Sequence, residues 1–530
     1  MTTITASTNS KRITKINAVE NSNIAVADGN FDIYLSGGEN QVILGSGDNK
    51  VHAKGGENTI ISGTGNDKIY SDKGENNFVF DADFGDDVIY NSDKLDMITL
   101  GSAFDHTDMS FFRRGSDLII TDDFDLPQNR ITLSKYFKSK SKLDDITHNN
   151  VVEKISDQLI YYSGKGRIKG TNFNDAIVGS VKKDTIYSYA GNDYILGGEL
   201  NDKIYSGAGA NKIVVNNGDG HDVLYVDKKA TSNTIMFDEG NEVTYVKSGK
   251  DLVLTGKVAG ASDKDKNNVG MTVKNYFDKS GDVAINSGLN LQYVGSVEVK
   301  TIAEELSANG VNIVGKLNKS NKLVGAEDYD NYIIGGNKSD KIYAGDMNNR
   351  IEGGKGSDKY YVDSENKTAV TKIFDTEGND SYIINGLDTS VYIDDMSGKK
   401  DVLKITDKVD YTMFFDVSVK EGVDQYNSLF IVDNANIKDE SYTSYVADGI
   451  EIGNFFDGIG YGDGRIEKIT VGGKSVDTSL VHFDEIRSNV ASWLTDESHS
   501  FDSAMIAFKE GTESEIQSLI AVYQGNTVNA

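Results

Sequence analysis

Residues 62–70 read SGTGNDKIY, and the same nine-residue pattern returns in residues 197–205 (GGELNDKIY), 335–343 (GGNKSDKIY) and 353–361 (GGKGSDKYY). Glycine, asparagine and aspartate tolerate the positive φ angles of tight turns, so the first half of the unit predicts a turn. The second half places one apolar residue between two outward-facing neighbours, which is typical of a short β-strand. Such a strand cannot bury its apolar side chain alone. Successive units are therefore predicted to stack into a parallel coil.

The nine-residue spacing occurs in three arrays. In the first array, a glycine recurs every nine residues from Gly29 to Gly74. The residues two positions after these glycines are Phe31, Asn40, Asn49, Asn58, Asp67 and Asn76. The equivalent residues of the second array are Asp175, Asp184, Asp193, Asp202 and Asn211, and those of the third array are Asn331, Asp340, Asn349 and Asp358.

As a series, these units resemble the glycine-rich nonapeptide of the repeats-in-toxin (RTX) family, G-G-x-G-x-D-x-U-x, in which U is apolar. The resemblance covers roughly residues 26–90, 161–225 and 321–385. It implies a right-handed parallel β-roll with two nonapeptides per turn and Ca²⁺ between successive turns. The expected fold is all-β, with three parallel β-roll (β-solenoid) arrays, each followed by antiparallel β capping strands, and a short helical C-terminal tail. A metal-free β-solenoid, in which Asn and Asp only form turns, is the alternative.

The resemblance implies Ca²⁺ as the cofactor, held by aspartate carboxylates and loop carbonyl oxygens. The candidate metal ligands are Asp67, Asp87, Asp175, Asp184, Asp193, Asp202, Asp222, Asp340 and Asp358. Calcium affinity falls when carboxylates are replaced by neutral oxygens. Asp67 is the one acidic residue among the six loop positions of the first array. We therefore expect good sites in the second array, sites on one side of the third, and weak or empty sites in the first.

Two units per turn would stack alternate units on the same side of the roll. In the second array, Asp175 and Asp193 would then share one side, and Asp184 and Asp202 the other. In the third array, the two aspartates would share one side and the two asparagines the opposite side.

The last residue of each unit points outward and alternates between an aromatic and an aliphatic side. In the first array, the two sides are Tyr34, His52, Tyr70 and Ile43, Ile61, Val79. We expect the aliphatic side to pack against the protein's own flanking strands. The tyrosine side is predicted to pack within the molecule, with a glycan or a neighbouring subunit as the alternative partner.

Each array is followed by alternating apolar residues that predict antiparallel strands, closing with the aromatic pairs Tyr136/Phe137, Tyr276/Phe277 and Phe455/Phe456. These strands would cap the open end of each solenoid. The predicted organisation is an N-terminal lead (1–25), a first degenerate β-roll plus cap (26–150), a second β-roll plus cap with the best calcium array (151–310), a third β-roll plus cap (311–485), and a helical tail that resembles a secretion signal (486–530).

Composition and charge narrow the function classes. The chain has 54 Lys+Arg against 82 Asp+Glu, a net charge of −28, which disfavours nucleic acid and anionic membranes as partners. It has no cysteine, which excludes disulfides and thiolate zinc sites. No stretch approaches the ~20 apolar residues of a membrane span. The first thirty residues contain no apolar segment of signal-peptide length.

The sequence contains no recognisable catalytic constellation, so we do not expect an enzyme. The six histidines are scattered and none lies in His-Glu-x-x-His, and there is no Gly-x-Ser-x-Gly. Residues 35–39 (LSGGE) look like the signature of ATP-binding cassette proteins, but they form one unit of the repeat and no phosphate-binding loop accompanies them.

The prediction is a secreted, calcium-binding tandem-repeat protein, extracellular or at the cell surface, whose β-rolls fold on Ca²⁺ outside the cell. By the resemblance, a type I secretion transporter would export it through the C-terminal tail. It would act as a structural or adhesive component, such as an adhesin, a surface-layer protein or a matrix protein, by self-assembly or by binding a glycan or host surface. The alternative is an extracellular β-solenoid carbohydrate-active enzyme or an RTX-type toxin or effector.

Overall fold

The computed structural model describes residues 2–6, 14–81, 83–101, 109–122, 129–140, 142–258, 269–284, 288–408, 411–420, 423–433, 449–453, 466–477, 504–508 and 521–523. Over these residues the protein is nearly all β, built from parallel solenoid turns, which confirms the predicted fold class. The chain divides into two compact units. Unit 1 comprises Met1–Asn241, Val258–Gly270 and Asn290–Val299, and unit 2 comprises Glu242–Lys257, Met271–Leu289 and Lys300–Ala530.

Up to residue 237 the strands are β1 (Thr2–Ala6), β2 (Thr14–Ala18), β3 (Ser22–Val26), β4 (Phe31–Leu35), β5 (Glu39–Ile43), β6 (Lys50–Ala53), β7 (Glu57–Ile61), β8 (Lys68–Ser71), β9 (Glu75–Phe80), β10 (Asp86–Tyr90), β11 (Met97–Leu100), β12 (Ser110–Arg114), β13 (Asp117–Thr121), β14 (Arg130–Leu133), β15 (Asp145–His148), β16 (Val151–Lys154), β17 (Ile160–Ser163), β18 (Arg167–Lys169), β19 (Asp175–Ser180), β20 (Thr185–Tyr187), β21 (Tyr194–Gly198), β22 (Lys203–Tyr205), β23 (Gly209–Val215), β24 (His221–Tyr225) and β25 (Ala230–Phe237).

From residue 241 onward the strands are β26 (Asn241–Ser248), β27 (Asp251–Val258), β28 (Val269–Val273), β29 (Leu289–Tyr293), β30 (Val299–Thr301), β31 (Val311–Val314), β32 (Lys322–Val324), β33 (Asn331–Gly336), β34 (Lys341–Tyr343), β35 (Asn349–Gly354), β36 (Lys359–Val362), β37 (Val370–Asp375), β38 (Ser381–Ile384), β39 (Ser390–Asp395), β40 (Val402–Ile405), β41 (Tyr411–Lys420), β42 (Val423–Asp433), β43 (Gly449–Gly453), β44 (Lys468–Val471), β45 (Lys474–Asp477), β46 (Ala504–Phe508) and β47 (Ala521–Tyr523). One α-helix lies in the described part of the chain, α1 (Ile302–Asn309), and begins with a capping box formed by Thr301 and Glu304.

In the first array of unit 1, consecutive strands alternate between two parallel sheets. Strands β3, β5, β7 and β9 follow one another in one sheet, and β4, β6, β8 and β10 in the other. The register pairs Ile33 with Val51 and Val51 with Ile69, so each strand meets the strand two units later. These apolar side chains are fully buried. Two nine-residue units therefore make one turn, and the apolar position of each unit forms the core.

The second array of unit 1 repeats this architecture. Strands β17, β19, β21, β23 and β25 form one parallel series, and β18, β20, β22 and β24 form the other. Ile177 pairs with Ile195, and Ile195 with Ile213, again two units apart. All three isoleucines are fully buried.

The strands that follow the first array are antiparallel, as predicted. Strand β13 pairs antiparallel with both β12 and β14, while β14 pairs parallel with β10 of the solenoid. The flanking strands therefore extend the sheet through backbone hydrogen bonds, and Tyr136 of the aromatic pair is buried in the core behind them. This arrangement covers the edge of β10, and β12 continues the same sheet by pairing parallel with β17 of the second array.

In unit 2 the series β31, β33, β35, β37, β39 and β32, β34, β36, β38, β40 form the two sides of the solenoid. Its later turns are longer than 18 residues, because Ile351 pairs with Ile373 and Tyr360 with Tyr382. Tyrosine replaces the core aliphatic residue at Tyr360 and Tyr382, and both rings are fully buried. Strands β42 and β43 pair antiparallel beyond these turns.

The tail differs from its prediction where it is described. Strand β46 pairs antiparallel with β41, and β47 pairs antiparallel with β46, so Ala504–Phe508 and Ala521–Tyr523 are strands rather than helix. Pairing with an existing strand gives the backbone hydrogen bonds that a helix would otherwise supply. The rest of the predicted tail (486–530) and the pair Phe455/Phe456 lie outside the described residues. No helix in the described part of the chain is long and apolar enough to cross a membrane.

Candidate metal centres

The nine predicted ligands lie at the start of strands or in the loops just before them, and all are buried. In the second array they form two columns. The backbone N–H of Asp175 donates to Oδ1 of Asp193 at 2.9 Å, and that of Asp184 donates to Oδ1 of Asp202 at 2.6 Å. Asp222 continues the second column by accepting from the N–H of Asp202 at 2.8 Å. The structure thus places these residues on the two sides that two units per turn predicts.

These backbone hydrogen bonds use one oxygen of each carboxylate. The other oxygen, Oδ2, is buried and has no hydrogen-bond partner among the described residues in Asp193, Asp202 and Asp222. A Cβ placed on Gly197 would lie 2.7 Å from Oδ2 of Asp202 and 3.0 Å from Oδ2 of Asp222. Both unpaired oxygens therefore lie beside Gly197, where no side chain fills the space. A buried polar oxygen without a donor is costly, and oxygen ligands around such a space suit Ca²⁺.

Asp175 and Asp184, which begin the two columns, differ from the residues that follow them. Oδ2 of Asp175 accepts the N–H of Thr171 at 2.6 Å, and Oδ2 of Asp184 accepts the N–H of Ser180 at 2.6 Å. Their carboxylates already have protein donors. The sequence pattern treats all the aspartates of the array alike, whereas the structure separates them by what their second oxygen contacts.

In the first array, a serine hydroxyl occupies the space between the carboxylates. Ser62 Oγ lies 2.6 Å from Oδ2 of Asp87 and 3.3 Å from Oδ2 of Asp67. The Oδ1 atoms of Asp67 and Asp87 accept backbone N–H groups at 2.7 Å and 2.6 Å. Each Oδ1 therefore accepts a backbone N–H, and the two Oδ2 atoms share the single hydroxyl hydrogen of Ser62.

The other side of the first array is an asparagine ladder. Asn40 Nδ2 donates to Asn58 Oδ1 at 2.9 Å, and Asn58 Nδ2 donates to Asn76 Oδ1 at 2.7 Å. The ladder ends on Asp96, which accepts from Asn76 Nδ2 at 2.9 Å and from Ser71 Oγ at 2.9 Å. An amide is both donor and acceptor, so this ladder satisfies itself. Asp96 lies outside the nine-residue spacing and was not predicted.

In the third array, the aspartates lie on one side of the roll and the asparagines on the other, as expected. Asp340 N–H donates to Oδ1 of Asp358 at 2.7 Å, and Oδ2 of both residues lacks a hydrogen-bond partner among the described residues. On the opposite side, Asn331 Nδ2 donates to Asn349 Oδ1 at 2.9 Å.

The aspartate column of the third array continues past its predicted end. The N–H of Asp358 donates to Asp380 Oδ1 at 2.6 Å, and that of Asp380 donates to Asp401 Oδ1 at 2.6 Å. Sequence reasoning missed Asp380 and Asp401 because the turns there depart from 18 residues. The sequence GNDSYI (residues 378–383) is similar to GDDVIY (85–90), which contains Asp87, and to GHDVLY (220–225), which contains Asp222. This similarity could have identified Asp380.

Burial raises the pKa of these carboxyls. The pKa of Asp193 rises to about 6, and the pKa values of Asp175, Asp202, Asp222 and Asp358 each rise to about 7. The pKa of Asp87 rises to about 8. Loss of hydration is the largest cause in each case, and neighbouring carboxylates add to it for all of these residues except Asp193. A bound cation would act in the opposite direction by favouring the ionised form.

Comparison with known proteins agrees with this geometry. The profile of the RTX calcium-binding nonapeptide repeat matches the chain in four copies, at residues 34–78, 169–204, 201–224 and 326–360. The chain contains RTX calcium-binding nonapeptide repeats. These repeats bind calcium, which identifies Ca²⁺ as the cofactor. The RTX matches include eight of the nine candidate ligands and leave out Asp87.

Among solved structures, the RTX-containing chain is similar to the crystal structure of the extracellular lipase LipA from Serratia marcescens, at 12% identity and a TM-score of 0.17. The alignment covers 48% of this chain and 43% of the lipase chain, so it spans less than half of the lipase. No curated protein matches the sequence.

The outward tyrosines pack against one another. Tyr34 and His52 stack with ring centroids 4.4 Å apart, and His52 and Tyr70 follow at 4.6 Å. Tyr187 and Tyr205 stack in the same way at 4.6 Å. Packing within the molecule therefore occurs as predicted.

The prediction for the aliphatic side is wrong at two positions. Ile43 is 42% exposed, and Val178, which ends a unit on the aliphatic side of the second array, is 41% exposed, so flanking strands do not cover them. The physical reason is that the flanking strands join these sheets edge to edge and leave the outer face open. Strand β15 extends the sheet of Ile43 at β11, and β12 extends the sheet of Val178 at β17.

Proposed function

We propose that this chain is an exported protein whose β-roll turns complete their folding on Ca²⁺ outside the cell, where it acts as a structural or adhesive component of a surface or matrix. The observation that carries the proposal is the set of buried, unpaired carboxylate oxygens on Asp193, Asp202, Asp222, Asp340 and Asp358. Without a cation, these oxygens have lost their hydration and have gained no donor in return.

Calcium binding would stabilise the folded state by mass action. A ligand that binds only the folded state stabilises it by RT ln(1 + [L]/Kd), which is about 1.4 kcal/mol for each site at ten times its Kd. Several such sites in one cooperative solenoid would make the folded state depend on the calcium concentration. The net charge of −28 strengthens this dependence, because a calcium-free chain repels itself.

A structural or adhesive role is proposed because solenoid turns and their flanking strands account for most of the described chain. The repeats themselves support an extracellular setting, where calcium is abundant and where RTX proteins are typically delivered by type I secretion. The proposed partners are calcium, the export transporter, and a further copy of the chain or a glycan surface.

The test of the folding step is far-UV circular dichroism of the full chain, first in calcium-free buffer and then through a Ca²⁺ titration. We expect β-structure to increase cooperatively with Ca²⁺ and to respond less to Mg²⁺, which requires a smaller octahedral site. A chain with its full β-content in calcium-free buffer would contradict calcium-dependent folding.

The structural role is tested separately on the calcium-loaded protein. Electron microscopy is expected to show ordered assembly, or binding assays to show retention on glycan-coated surfaces, in calcium and not in chelator. Turnover of a polyuronate by the purified chain would instead identify an enzyme. Removal of residues 486–530 is expected to abolish release of the protein into the medium, and undiminished release would contradict export through the tail.

A further inference from the structure

A second type of acidic cluster lies in unit 2, in the turns that follow the last matched repeat. The RTX profile ends at residue 360. In the paired strands β35 and β37, Glu352 is opposite Phe374, so the next residues, Gly353 and Asp375, occupy equivalent positions. Asp375 in turn pairs with Asp395 of β39. Two successive turns therefore place a carboxylate where the repeat has a glycine.

These carboxylates join the aspartate column of the third array. Asp358, Asp375 and Asp380 offer ligand oxygens that all lie within 4.8 Å of one another. Asp380, Asp395 and Asp401 form a second group of the same size, so Asp380 belongs to both. All five side chains are at most 1% exposed.

The hydrogen bonds leave specific oxygens of this cluster without a donor. Oδ2 of Asp358, Asp380 and Asp401 is buried and has no hydrogen-bond partner among the described residues. The two added carboxylates have a different environment. Tyr360 Oη donates to Oδ2 of Asp375, and Tyr382 Oη donates to Oδ2 of Asp395 at 2.8 Å.

No basic side chain pairs with these five carboxylates in the ion pairs of the described residues. The nearby Lys355 pairs with Glu377, and both of these side chains are more than half exposed. Unpaired carboxylates at this depth are strongly unfavourable unless a cation neutralises them.

The donor set indicates the class of cation. It consists of oxygen atoms alone, which favours a hard cation over zinc or copper. Oxygens that bind one Ca²⁺ ion at about 2.4 Å lie at most about 4.8 Å apart, and the ligand atoms of each group meet this limit. Mg²⁺ usually keeps several waters and takes one or two carboxylates, whereas each of these groups offers three buried carboxylates.

We propose that this cluster is a two-ion calcium centre in which Asp380 bridges one ion held with Asp358 and Asp375 and another held with Asp395 and Asp401. It differs from the sites of the matched repeats because the side chains of Asp375 and Asp395 replace a glycine and because core tyrosines orient them. The proposal does not depend on an adhesive role or on calcium-dependent folding of the whole chain.

The first test counts bound calcium in the full chain after gel filtration in calcium buffer. Asp375→Asn is expected to lose about one ion per chain, and Asp380→Asn about two, because a neutral amide weakens calcium binding. Glu377→Gln is the matched control, since it removes an exposed carboxylate from the same loop and should leave the count unchanged. An unchanged count in both aspartate variants would overturn the proposal.

The second test uses Tb³⁺ as a probe, excited through tyrosine. The hydroxyl groups of Tyr360 and Tyr382 contact ligand carboxylates, so an ion in this centre should give tyrosine-sensitised emission. Tyr360→Phe is expected to lower the emission while the calcium count stays the same. If Tyr360→Phe leaves the emission at its wild-type intensity, the proposal is overturned. This test holds even if Asp375→Asn fails to fold.

Asp202→Asn separates this centre from the proposed function, because Asp202 belongs to the second array in unit 1. If the second array did not bind the calcium that the proposed function requires but this centre were correct, Asp202→Asn would leave the calcium count unchanged while Asp375→Asn would still lower it. The converse result, with loss only in Asp202→Asn, would overturn the two-ion centre alone.

Discussion

The first and third arrays are both parallel solenoids, but they differ in the residue that lies five positions before each loop aspartate. In the first array that residue is Ser62, whose hydroxyl contacts the carboxylates of Asp67 and Asp87. In the third array it is first Gly353, before Asp358, and then Asp375, before Asp380. This position of the turn thus supplies a hydroxyl donor, no side chain, or another carboxylate.

The loop residues of these two arrays also differ in their hydrogen-bond donors. Asn58 donates to one neighbour and accepts from the other, so the amide column closes on itself. Asp358 and Asp380 can only accept while they are ionised, and each retains a buried oxygen without a donor. Exchanging an NH₂ group for an oxygen removes a donor from the column, and under the proposed function a cation takes the place of that donor. We therefore expect calcium dependence to differ from one array to the next.

Calcium removal should separate the arrays most strongly. In chelator, residues 175–225 and 340–405 are expected to lose amide protection, while residues 31–80 keep theirs, because the first array satisfies its own polar groups. Hydrogen–deuterium exchange with mass spectrometry measures this difference. Equal loss of amide protection in all three arrays would contradict the inference that the first array is stable without calcium.

The pH dependence of the calcium-free protein should be the next largest effect. The pKa values of Asp202 and Asp222 are raised to about 7, and those of Asp380 and Asp395 to about 8, chiefly by burial. The folded state therefore holds more protons than the unfolded state between about pH 4 and pH 8, and its free energy of unfolding falls as the pH rises through this window. We expect calcium-free protein to gain β-structure by circular dichroism when acidified from pH 8 to pH 5.

In saturating calcium the pH effect should reverse. Carboxylate ligands must be ionised to bind the cation, so acidification from pH 8 to pH 5 should then lower stability. The control is the calcium-free titration itself. The same direction of change in both media would contradict a role for these carboxylates as calcium ligands.

Asn58→Ala should weaken the first array in either medium. It leaves buried Asn40 Nδ2 without its acceptor on Asn58 and Asn76 Oδ1 without a donor, at a cost of about 1–3 kcal/mol. Urea unfolding with and without calcium measures the change, and the bound calcium should stay constant. A lower calcium count in this variant would show that the first array holds ions.

Asp202→Asn should have the smallest effect on the free energy of unfolding, and this effect should appear only in calcium. The new amide can donate to Oδ2 of Asp222, which makes this part of the second array resemble the first. We expect a loss of about 1.4 kcal/mol at a calcium concentration ten times the Kd, and no loss in chelator. Equal destabilisation in both media would mean that Asp202 has only a structural role.

Much of the fold could be predicted because the repeat is local and regular. The spacing of Ile33, Val51 and Ile69 determines the register, since each apolar residue has one inward position in each turn. The same spacing placed Asp193 and Asp202 on opposite sides of the roll. Prediction weakened where turns became longer, so Asp380 and Asp401 were missed, as were Asp375 and Asp395, which occupy glycine positions of the repeat.

By itself, the sequence determined that the chain stacks nine-residue units into a parallel β-solenoid that contains calcium-binding repeats. Turn residues and inward apolar residues act within one or two units, so their pattern suffices. Only the tertiary structure decided which carboxylate oxygens keep a donor and which do not. That distinction between Asp87 beside Ser62 and Asp222 beside Gly197 depends on residues 20 or more positions apart that meet after the chain has coiled.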